Sequence, residues 1–290
     1  MSAIARNQRR YAFTPNIGIL AVSLFLLFIL AVLVTPALTL LWSSLFLEGR
    51  LSLGTYAGLL KRRGYRLAIS TSVLLATCTA TIGTVLGVIL SWNLNRILSE
   101  RFRSLLLSLA TVANNAGGLP LVFGMILIAG TQGMITLFLN RVLAWKVSFE
   151  LVSFWGLALV YLYFLIPLCI LTFLPSLEAL KSELREAASV HGARPLHFWR
   201  YVGMPILIPP LAACFVLLFV NGFGSFTTPW ALVGGGSSLT LITLQIGFLF
   251  GEAGYDPQAA DALGVIIILI ASICMLIYHL LMRRVARWFH

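Results

Sequence analysis

The acidic side chains of this 290-residue chain are the groups best able to perform acid–base or metal chemistry. All nine lie in polar connections or near the ends of apolar stretches: Glu48, Glu100, Glu150, Glu178, Glu183, Glu186, Glu252, Asp256 and Asp261. An enzyme working inside a bilayer would need paired acids or a metal cluster at that depth, where isolated charges are costly. The sequence therefore predicts no catalytic residue, no metal site and no enzyme.

Phosphate chemistry is disfavoured as well. The sequence contains no Gly-x-x-x-x-Gly-Lys-Ser/Thr run with which a chain cradles the phosphates of ATP. The three glycines at 234–236 lack the following lysine and helix, and they indicate a flexible turn. We therefore expect this chain to bind no cofactor.

The composition predicts a membrane protein. The chain is 60% hydrophobic and 10% charged, whereas soluble domains average about 25% charged residues. Its net charge of +11 does not indicate a nucleic-acid partner, because the basic residues are scattered between apolar stretches. Lys and Arg enrichment in cytoplasmic loops explains that excess, and the expected surroundings are a lipid bilayer.

The longest polar stretch, residues 178–205, predicts a helix, a sharp turn and a second short helix. Residues 178–190 are rich in strong helix formers. Gly192 can adopt the left-handed conformation that ends a helix, and Pro195 suits the first position of the next one. Pro205 lies where the next membrane helix should begin. On physical grounds alone, an amphipathic helix lying along lipid headgroups remains the alternative.

The spacing within this stretch resembles the EAA loop of binding-protein-dependent ABC importer permeases. The pattern is Glu186-Ala187-Ala188, then Gly192, Val202 and Met204-Pro205; the family usually has Ile and Leu at the Val202 and Met204 positions. The resemblance covers most of the chain and implies an all-α type I importer fold of six membrane helices. Five of these form the core after a peripheral first helix, and a cytoplasmic coupling helix at 183–191 follows the fourth.

The resemblance also implies the partners and the coupling residues. The implied partners are a cytoplasmic ATPase dimer that binds ATP and Mg²⁺, a second permease subunit of a related but different sequence, and an external binding protein. The segment implied to couple to the ATPase contains Glu183, Glu186, Ala187, Ala188, His191, Gly192, Ala193 and Pro205. Transport would proceed by alternating access.

A second segment is similar to the region after the fifth span in spermidine/putrescine-type permeases. It comprises Gly-Phe-Gly-Ser-Phe-Thr-Thr-Pro at 222–229 and the glycines at 234–236. This similarity implies a polyamine or a similar small organic solute. The wider group also transports ferric iron, thiamine and aminoethylphosphonate, which stay open. Members often carry an acidic residue near the position of Ser225.

Polar residues within the apolar stretches are candidates for a solute pathway. Broken backbone is tolerated at membrane depth where it lines a cavity, asparagines there need partners or water, and aromatic rings can face a cation. These candidates are Asn114, Asn115, Tyr161, Tyr163, Asn221, Ser225, Thr227 and Thr228. For each of them, helix packing or an outer loop is an equally good interpretation.

Six membrane spans must position these residues. Uncharged stretches occur at 17–47, 67–95, 104–140, 151–177, 201–251 and 262–282. A span needs about 20 apolar residues. Two stretches are too long for one helix. In 104–140 we expect one span with a broken or re-entrant extension, interrupted at 114–120 and 131–133. In 201–251, a span is followed by a turn-rich segment at 221–238 and a piece too short to cross. Gly83 and Gly87 permit close helix approach.

The loop charges predict the orientation. With both termini in the cytoplasm, thirteen Lys and Arg lie in inner segments and seven in outer ones, although the outer segment 48–66 is itself basic. We expect a multi-pass protein of the bacterial cytoplasmic membrane. Residues 1–66 would hold the N-terminal tail, first span and outer loop, and 67–290 the five-helix core.

Two other functional classes were weighed. A secondary transporter driven by an ion gradient would be expected to show internal symmetry and ionisable groups within its spans. A membrane enzyme would require the chemistry that is missing. Neither needs a docking segment.

Overall fold

The computed structural model is almost entirely helical. It describes residues 15–47, 50–51, 54–97, 99–142, 150–180, 186, 188–190, 192, 194–233, 239–251 and 254–286. Six helical segments are long and apolar enough to cross a membrane: Val22–Leu45, Arg63–Asn95, Leu119–Arg141, Phe154–Glu178, Pro195–Gly224 and Pro257–Arg283. The predicted number of six spans is confirmed.

The first helix, α1 (Pro15–Leu45), lies at the periphery. The helix is apolar on every face, and most of its described side chains are exposed. Both features are expected of a helix that lipid surrounds. Two short strands of two residues each follow, and β1 (Phe46–Leu47) pairs antiparallel to β2 (Arg50–Leu51). The sequence pattern did not predict them. The short helix α2 (Gly54–Lys61) then leads into the core.

The next stretch contains one long helix and three shorter ones. They are α3 (Arg63–Asn95), α4 (Glu100–Asn115), α5 (Leu119–Ala129) and α6 (Met134–Val142). Both predicted interruptions are confirmed, because α4 ends at Asn115 and α5 ends before the turn at 130–133. The third candidate span lies in α5 and α6, whereas α4 packs along the fourth span.

The remaining helices alternate between long spans and short pieces. They are α7 (Phe154–Glu178), α8 (Pro195–Phe198), a π-helical turn (Trp199–Gly203), α9 (Met204–Gly224), α10 (Thr227–Val233), α11 (Ile242–Phe250) and α12 (Pro257–Ala286). The turn-rich segment predicted at 221–238 is wrong for 221–224 and 227–233, which are helical, while 234–238 lie outside the described residues. Burial of Thr228, Pro229, Leu232 and Val233 stabilises α10 despite its weak local helix signal.

The core forms where α3, α7 and α9 meet. Tyr161, Leu165 and Leu218 are fully buried at this junction. A Cβ added at Gly87 would lie 2.5 Å from Cβ of Cys169, and one at Gly83 would lie 3.1 Å from a Leu218 methyl carbon. The predicted role of this glycine pair in close helix approach is therefore confirmed.

A second cluster holds the last helix in place. It surrounds Phe223, Ile242 and Leu263 and includes residues from α2, α3 and α11. The peripheral helix α1 packs on α12, where the Ser43 hydroxyl donates a hydrogen bond to Asp261.

Candidate functional site

The described residues within 186–205 follow the fourth span, and we call them the knob. Residues 186 and 188–190 are helical, and the amide of Gly192 donates to the Ser189 carbonyl at 2.9 Å. Gly192 has a φ of +73°, and a Cβ there would meet no atom within 4 Å. The backbone conformation, rather than space, therefore requires glycine, and the predicted left-handed turn is confirmed.

Two prolines lie in the rest of the knob. Pro195 begins α8, and the Arg194 carbonyl accepts hydrogen bonds from the amides of His197 and Phe198 at 2.9 and 3.1 Å. Pro205 is the second residue of α9, but α8, the π-helical turn and α9 form one continuous helical segment, Pro195–Gly224. The predicted helix start at Pro195 is confirmed. The predicted start of the span at Pro205 is wrong, because the helix runs through that position.

Half of the predicted coupling residues can be placed. Glu186 and Gly192 are exposed, and Ala188 and Pro205 are half-buried. The other four, Glu183, Ala187, His191 and Ala193, lie outside the described residues.

The knob presents large apolar side chains on its surface. Val190, Leu196 and Tyr201 are 84%, 78% and 67% exposed. His197 stacks on the Tyr201 ring, with ring centres 6.1 Å apart. Exposed apolar groups rimmed by polar ones mark interaction surfaces, so this side of the knob is suited to contact a partner.

A tryptophan pair connects the knob to the membrane domain. Trp199 packs on Trp92 near the end of α3, with ring centres 5.0 Å apart, and the Arg96 guanidinium lies 5.2 Å from the Trp92 ring centre. Gly203 lies against Trp199, where a Cβ would approach a ring carbon to 2.6 Å. The sequence did not predict this pair, because Trp92 and Trp199 are more than 100 residues apart in the chain.

An ion pair adds a second connection at the same end of the bundle. Arg103 in the first turns of α4 binds Glu178, the last residue of α7. The ends of α4 and α7 that lie beside the knob are therefore held together.

A cavity of about 600 Å³ opens where two helix breaks face each other. It lies between the α4–α5 turn, the middle of α7 and the α9–α10 break. Its lining residues are Gly117, Gly118, Phe164, Val220, Asn221, Gly224, Ser225, Phe226, Thr227 and Thr228.

Local backbone geometry creates both breaks. Gly118 has a φ of +83°, which lets the chain turn between α4 and α5, and Thr227 packs against it. Ser225 is extended and ends α9, and its carbonyl accepts a hydrogen bond from the Thr243 hydroxyl at 3.1 Å. The second break is thereby tied to α11.

The structure brings together four of the eight predicted pathway residues. Asn221, Ser225, Thr227 and Thr228 line the cavity, whereas Asn114, Asn115 and Tyr163 are absent from its lining. The predicted exposure of the Tyr161 ring to a solute is wrong, because that residue is packed in the core and is only 1% exposed. Phe164 and Val220 were missed, since nothing local separates them from ordinary packing residues.

The cavity lining is polar but uncharged. It offers the Asn221 amide and the hydroxyls of Ser225 and Thr227, together with the rings of Phe164 and Phe226. Phe226 is held by stacking on Trp230, with ring centres 5.4 Å apart. This arrangement can hydrogen-bond a solute and contact a flat or weakly cationic group, but it offers no carboxylate.

Solved structures of importers share this architecture. The structure matches a chain of a bacterial ABC transporter involved in the import of alginate, with a TM-score of 0.68 and 16% identity over 93% of this chain and 95% of that one. It also matches a chain of the MetNI methionine ABC transporter, with a TM-score of 0.53 and 16% identity over 75% of this chain and 94% of that one. These likenesses confirm the predicted permease fold.

Curated relatives support the same family. The chain is 34% identical over 214 residues to the thiamine transport system permease protein ThiP of Salmonella typhimurium, covering 72% of the chain and 38% of ThiP. It is 24% identical over 268 residues to the ferric transport system permease protein FbpB of Actinobacillus pleuropneumoniae, covering 91% of the chain and 38% of FbpB. The chain thus spans about 38% of the length of these relatives.

A family model matches most of the chain as well. The model described as binding-protein-dependent transport system inner membrane component matches residues 53–290, which include the core, the knob and the cavity. The chain therefore belongs to the family of inner membrane components of binding-protein-dependent transport systems.

Proposed function

We propose that this chain forms half of the solute pathway of an ATP-driven importer and is coupled by its knob to a separate ATPase. The observation that carries the proposal is the knob surface, where Val190, Leu196 and Tyr201 are exposed beside the polar turn at Gly192. A partner that covers these side chains would gain apolar burial, and the exposed Glu186 offers a charge for a partner Lys or Arg.

The shape of the knob favours a protein cleft over a lipid surface. A helix lying along headgroups needs a continuous apolar stripe. Here the left-handed turn at Gly192 separates residues 186–190 from a helix that starts at Pro195 and continues into the fifth span. No continuous apolar stripe therefore runs through the segment, which favours a concave protein partner over a flat lipid surface.

The connections of the knob support a mechanical role. Movement of a docked knob would be passed through Trp199 to Trp92 on α3, and α3 packs against α7 and α9 beside the cavity. In the proposed cycle, ATP binding closes the ATPase pair and opens the pathway outward, and hydrolysis resets it. ATP and Mg²⁺ are bound by the ATPase. The knob and both termini then lie in the cytoplasm.

Further partners complete the proposed transporter. A second permease subunit, related but different in sequence, supplies the other half of the pathway. An external binding protein delivers the solute. The structure also matches a chain of the bacterial alginate ABC transporter solved in complex with an alginate pentasaccharide-bound periplasmic protein, with a TM-score of 0.65. This match supports the proposed arrangement.

The uncharged aromatic cavity favours thiamine or a similar aromatic monocation as the solute. Thiamine carries one positive charge on a ring system, which the rings of Phe164 and Phe226 can face. A polyamine, the solute suggested by residues 222–229, carries several charges and would meet no carboxylate in this lining. Ferric iron is the second candidate, because the match to FbpB covers 91% of the chain.

The test is reconstitution of the whole transporter, with its ATPase and binding protein, in proteoliposomes. We expect the ATPase to co-purify with the chain and labelled thiamine to accumulate only with ATP, with little competition from spermidine or ferric iron. Accumulation driven by an ion gradient through the purified chain alone would overturn the importer proposal. Preferential accumulation of spermidine would overturn only the choice of solute.

A further inference from the structure

A cluster of four basic residues lies at the end of the bundle opposite the knob. Lys61, Arg62, Arg63 and Arg66 are all exposed around the start of α3. From Arg63 to Trp92, which contacts the knob, α3 rises roughly 45 Å at 1.5 Å per residue. That length matches a bilayer with its headgroups, so the cluster lies in the headgroup layer on the far side.

Nothing in the proposed transport function uses these cations. No ion pair joins any of them to a carboxylate among the described residues. Two acids at the start of the last span already have hydrogen-bond partners. Asp256, just before α12, accepts from the Ala259 amide, and Asp261 in α12 accepts from Ser43. Basic clusters are also depleted from outer loops, so this one requires a separate explanation.

A groove of about 460 Å³ runs from the cluster along α3. Arg66 lies at its top, and Leu60, Ile69, Val73 and Leu74 form its walls. The hydroxyls of Ser70 and Thr77 in the groove donate to backbone carbonyls of their own helix. The groove is therefore apolar toward an occupant, and it extends roughly 16 Å from Arg66 toward the middle of the bilayer.

We propose that this groove binds an anionic phospholipid, with its phosphate at Arg63 and Arg66 and an acyl chain along Ile69, Val73 and Leu74. Arg63 and Arg66 are three residues apart on one helix and can reach the same phosphate. Their exposed charges complement an anionic headgroup, and the apolar walls below them complement a hydrocarbon chain.

The depth of the groove decides between a lipid and a protein partner. An acidic face of a soluble protein could meet Lys61, Arg62 and Arg63 at the surface. It would not reach Val73 and Leu74, which lie two to three helical turns below Arg66 in the hydrocarbon layer. Only a molecule that is anionic at one end and apolar along its length can contact both the basic cluster and the apolar walls of the groove.

The proposal needs α3 to span the bilayer, but it does not need the solute or the docking partner to be as proposed above. It also stands for either orientation, which decides only the leaflet. Binding of phosphatidylglycerol to the purified full chain can therefore be measured by native mass spectrometry in micelles, where failure of the transport proposal has no effect.

The first variant is Arg66→Gln. One cation near an anionic headgroup contributes roughly a fivefold change in affinity, so we expect phosphatidylglycerol binding to weaken about fivefold, and Arg63→Gln to act similarly. Arg101→Gln removes an exposed cation from the first turn of α4 at the opposite end and should leave this binding unchanged. Equal binding by wild type and Arg66→Gln would overturn the proposal.

The second variant separates a lipid site from simple charge attraction. Ser70→Phe fills the groove without changing any charge, and we expect it to reduce phosphatidylglycerol binding at least as much as Arg66→Gln. Unchanged binding in a Ser70→Phe chain with the wild-type melting temperature would show that the groove holds no acyl chain. Equally tight binding of phosphatidylcholine by the wild type would contradict the anionic preference.

Discussion

The knob and the cavity are built from opposite kinds of sequence information. The knob is one continuous stretch, in which Gly192 imposes the turn and Pro195 the helix start. The cavity joins three segments that are far apart in sequence, around Gly118, Phe164 and Ser225. Local chemistry therefore determines the proposed docking surface, whereas long-range helix packing determines the proposed pathway.

This difference gives the two regions different weak points. A single backbone angle controls the knob, so one substitution can remove its shape. The cavity distributes its polar groups over several helices, so a single side chain contributes less. Three predictions, in order of decreasing effect, test whether the regions separate in this way.

The largest effect is expected at Gly192. Its φ of +73° is unfavourable for a β-branched residue by about 1–2 kcal/mol or more, and a Cβ there would meet no neighbour. We expect Gly192→Val to abolish co-purification of the ATPase and to lower ATP-dependent uptake at least about tenfold, which is the scale of that penalty.

The matched control is Gly192→Asn, because asparagine tolerates the left-handed conformation. This variant should keep uptake within about twofold of the wild type. If both substitutions left uptake and ATPase co-purification unchanged, the turn at Gly192 would not shape a docking surface. The proposed difference between knob and cavity would then be wrong.

The sequence predicted well those features that depend on neighbours along the chain. The six spans follow from apolar length, and the two interruptions of the third span follow from residues 114–120 and 131–133. The left-handed Gly192 and the helix start at Pro195 were predicted for the same reason.

Features that depend on packing between helices could not be predicted in this way. Tyr161 and Phe164 are three residues apart on α7, yet the first is buried in the core and the second lines the cavity. Hydrophobic pattern could not separate them, because α7 is apolar on nearly every face. Likewise, Thr227 and Thr228 were expected in a turn, but burial of their neighbours makes a helix there.

An intermediate effect is expected at the contact that joins the knob to α3. Trp199→Ala removes the ring that packs on Trp92, and aromatic pairs contribute about 1 kcal/mol beyond their burial. We expect the ATPase still to co-purify, since the docking surface remains, while uptake falls about fivefold. Trp199→Phe should retain part of the contact and most of the uptake.

The matched control for this site is Trp155→Ala, which removes an exposed tryptophan from the first turn of α7, distant from the knob. Its uptake should stay near the wild-type level. If Trp199→Ala lost ATPase co-purification while its melting temperature stayed unchanged, Trp199 would shape the docking surface of the knob rather than connect the knob to α3.

The smallest effect is expected at Asn221 in the cavity. Its amide nitrogen donates to the Leu217 carbonyl at 2.9 Å, four residues earlier on α9, and its side chain is exposed at the cavity wall. The side-chain oxygen can then accept a hydrogen bond from a passing solute. A net hydrogen bond contributes about 0.5–1 kcal/mol, so Asn221→Ala should raise the KM for uptake roughly two- to fivefold without changing ATPase co-purification.

Asn115 provides the control that sharpens this prediction. It is the same side chain, also exposed, and its amide nitrogen donates to the Thr111 carbonyl at 2.8 Å in the same four-residue pattern on α4. It does not belong to the cavity lining. Asn115→Ala therefore loses the same local bond but no solute contact, and its KM should match the wild type. Equal increases in KM in both variants would show that the effect comes from helix stability. That result would contradict the proposal that the cavity is part of the solute pathway.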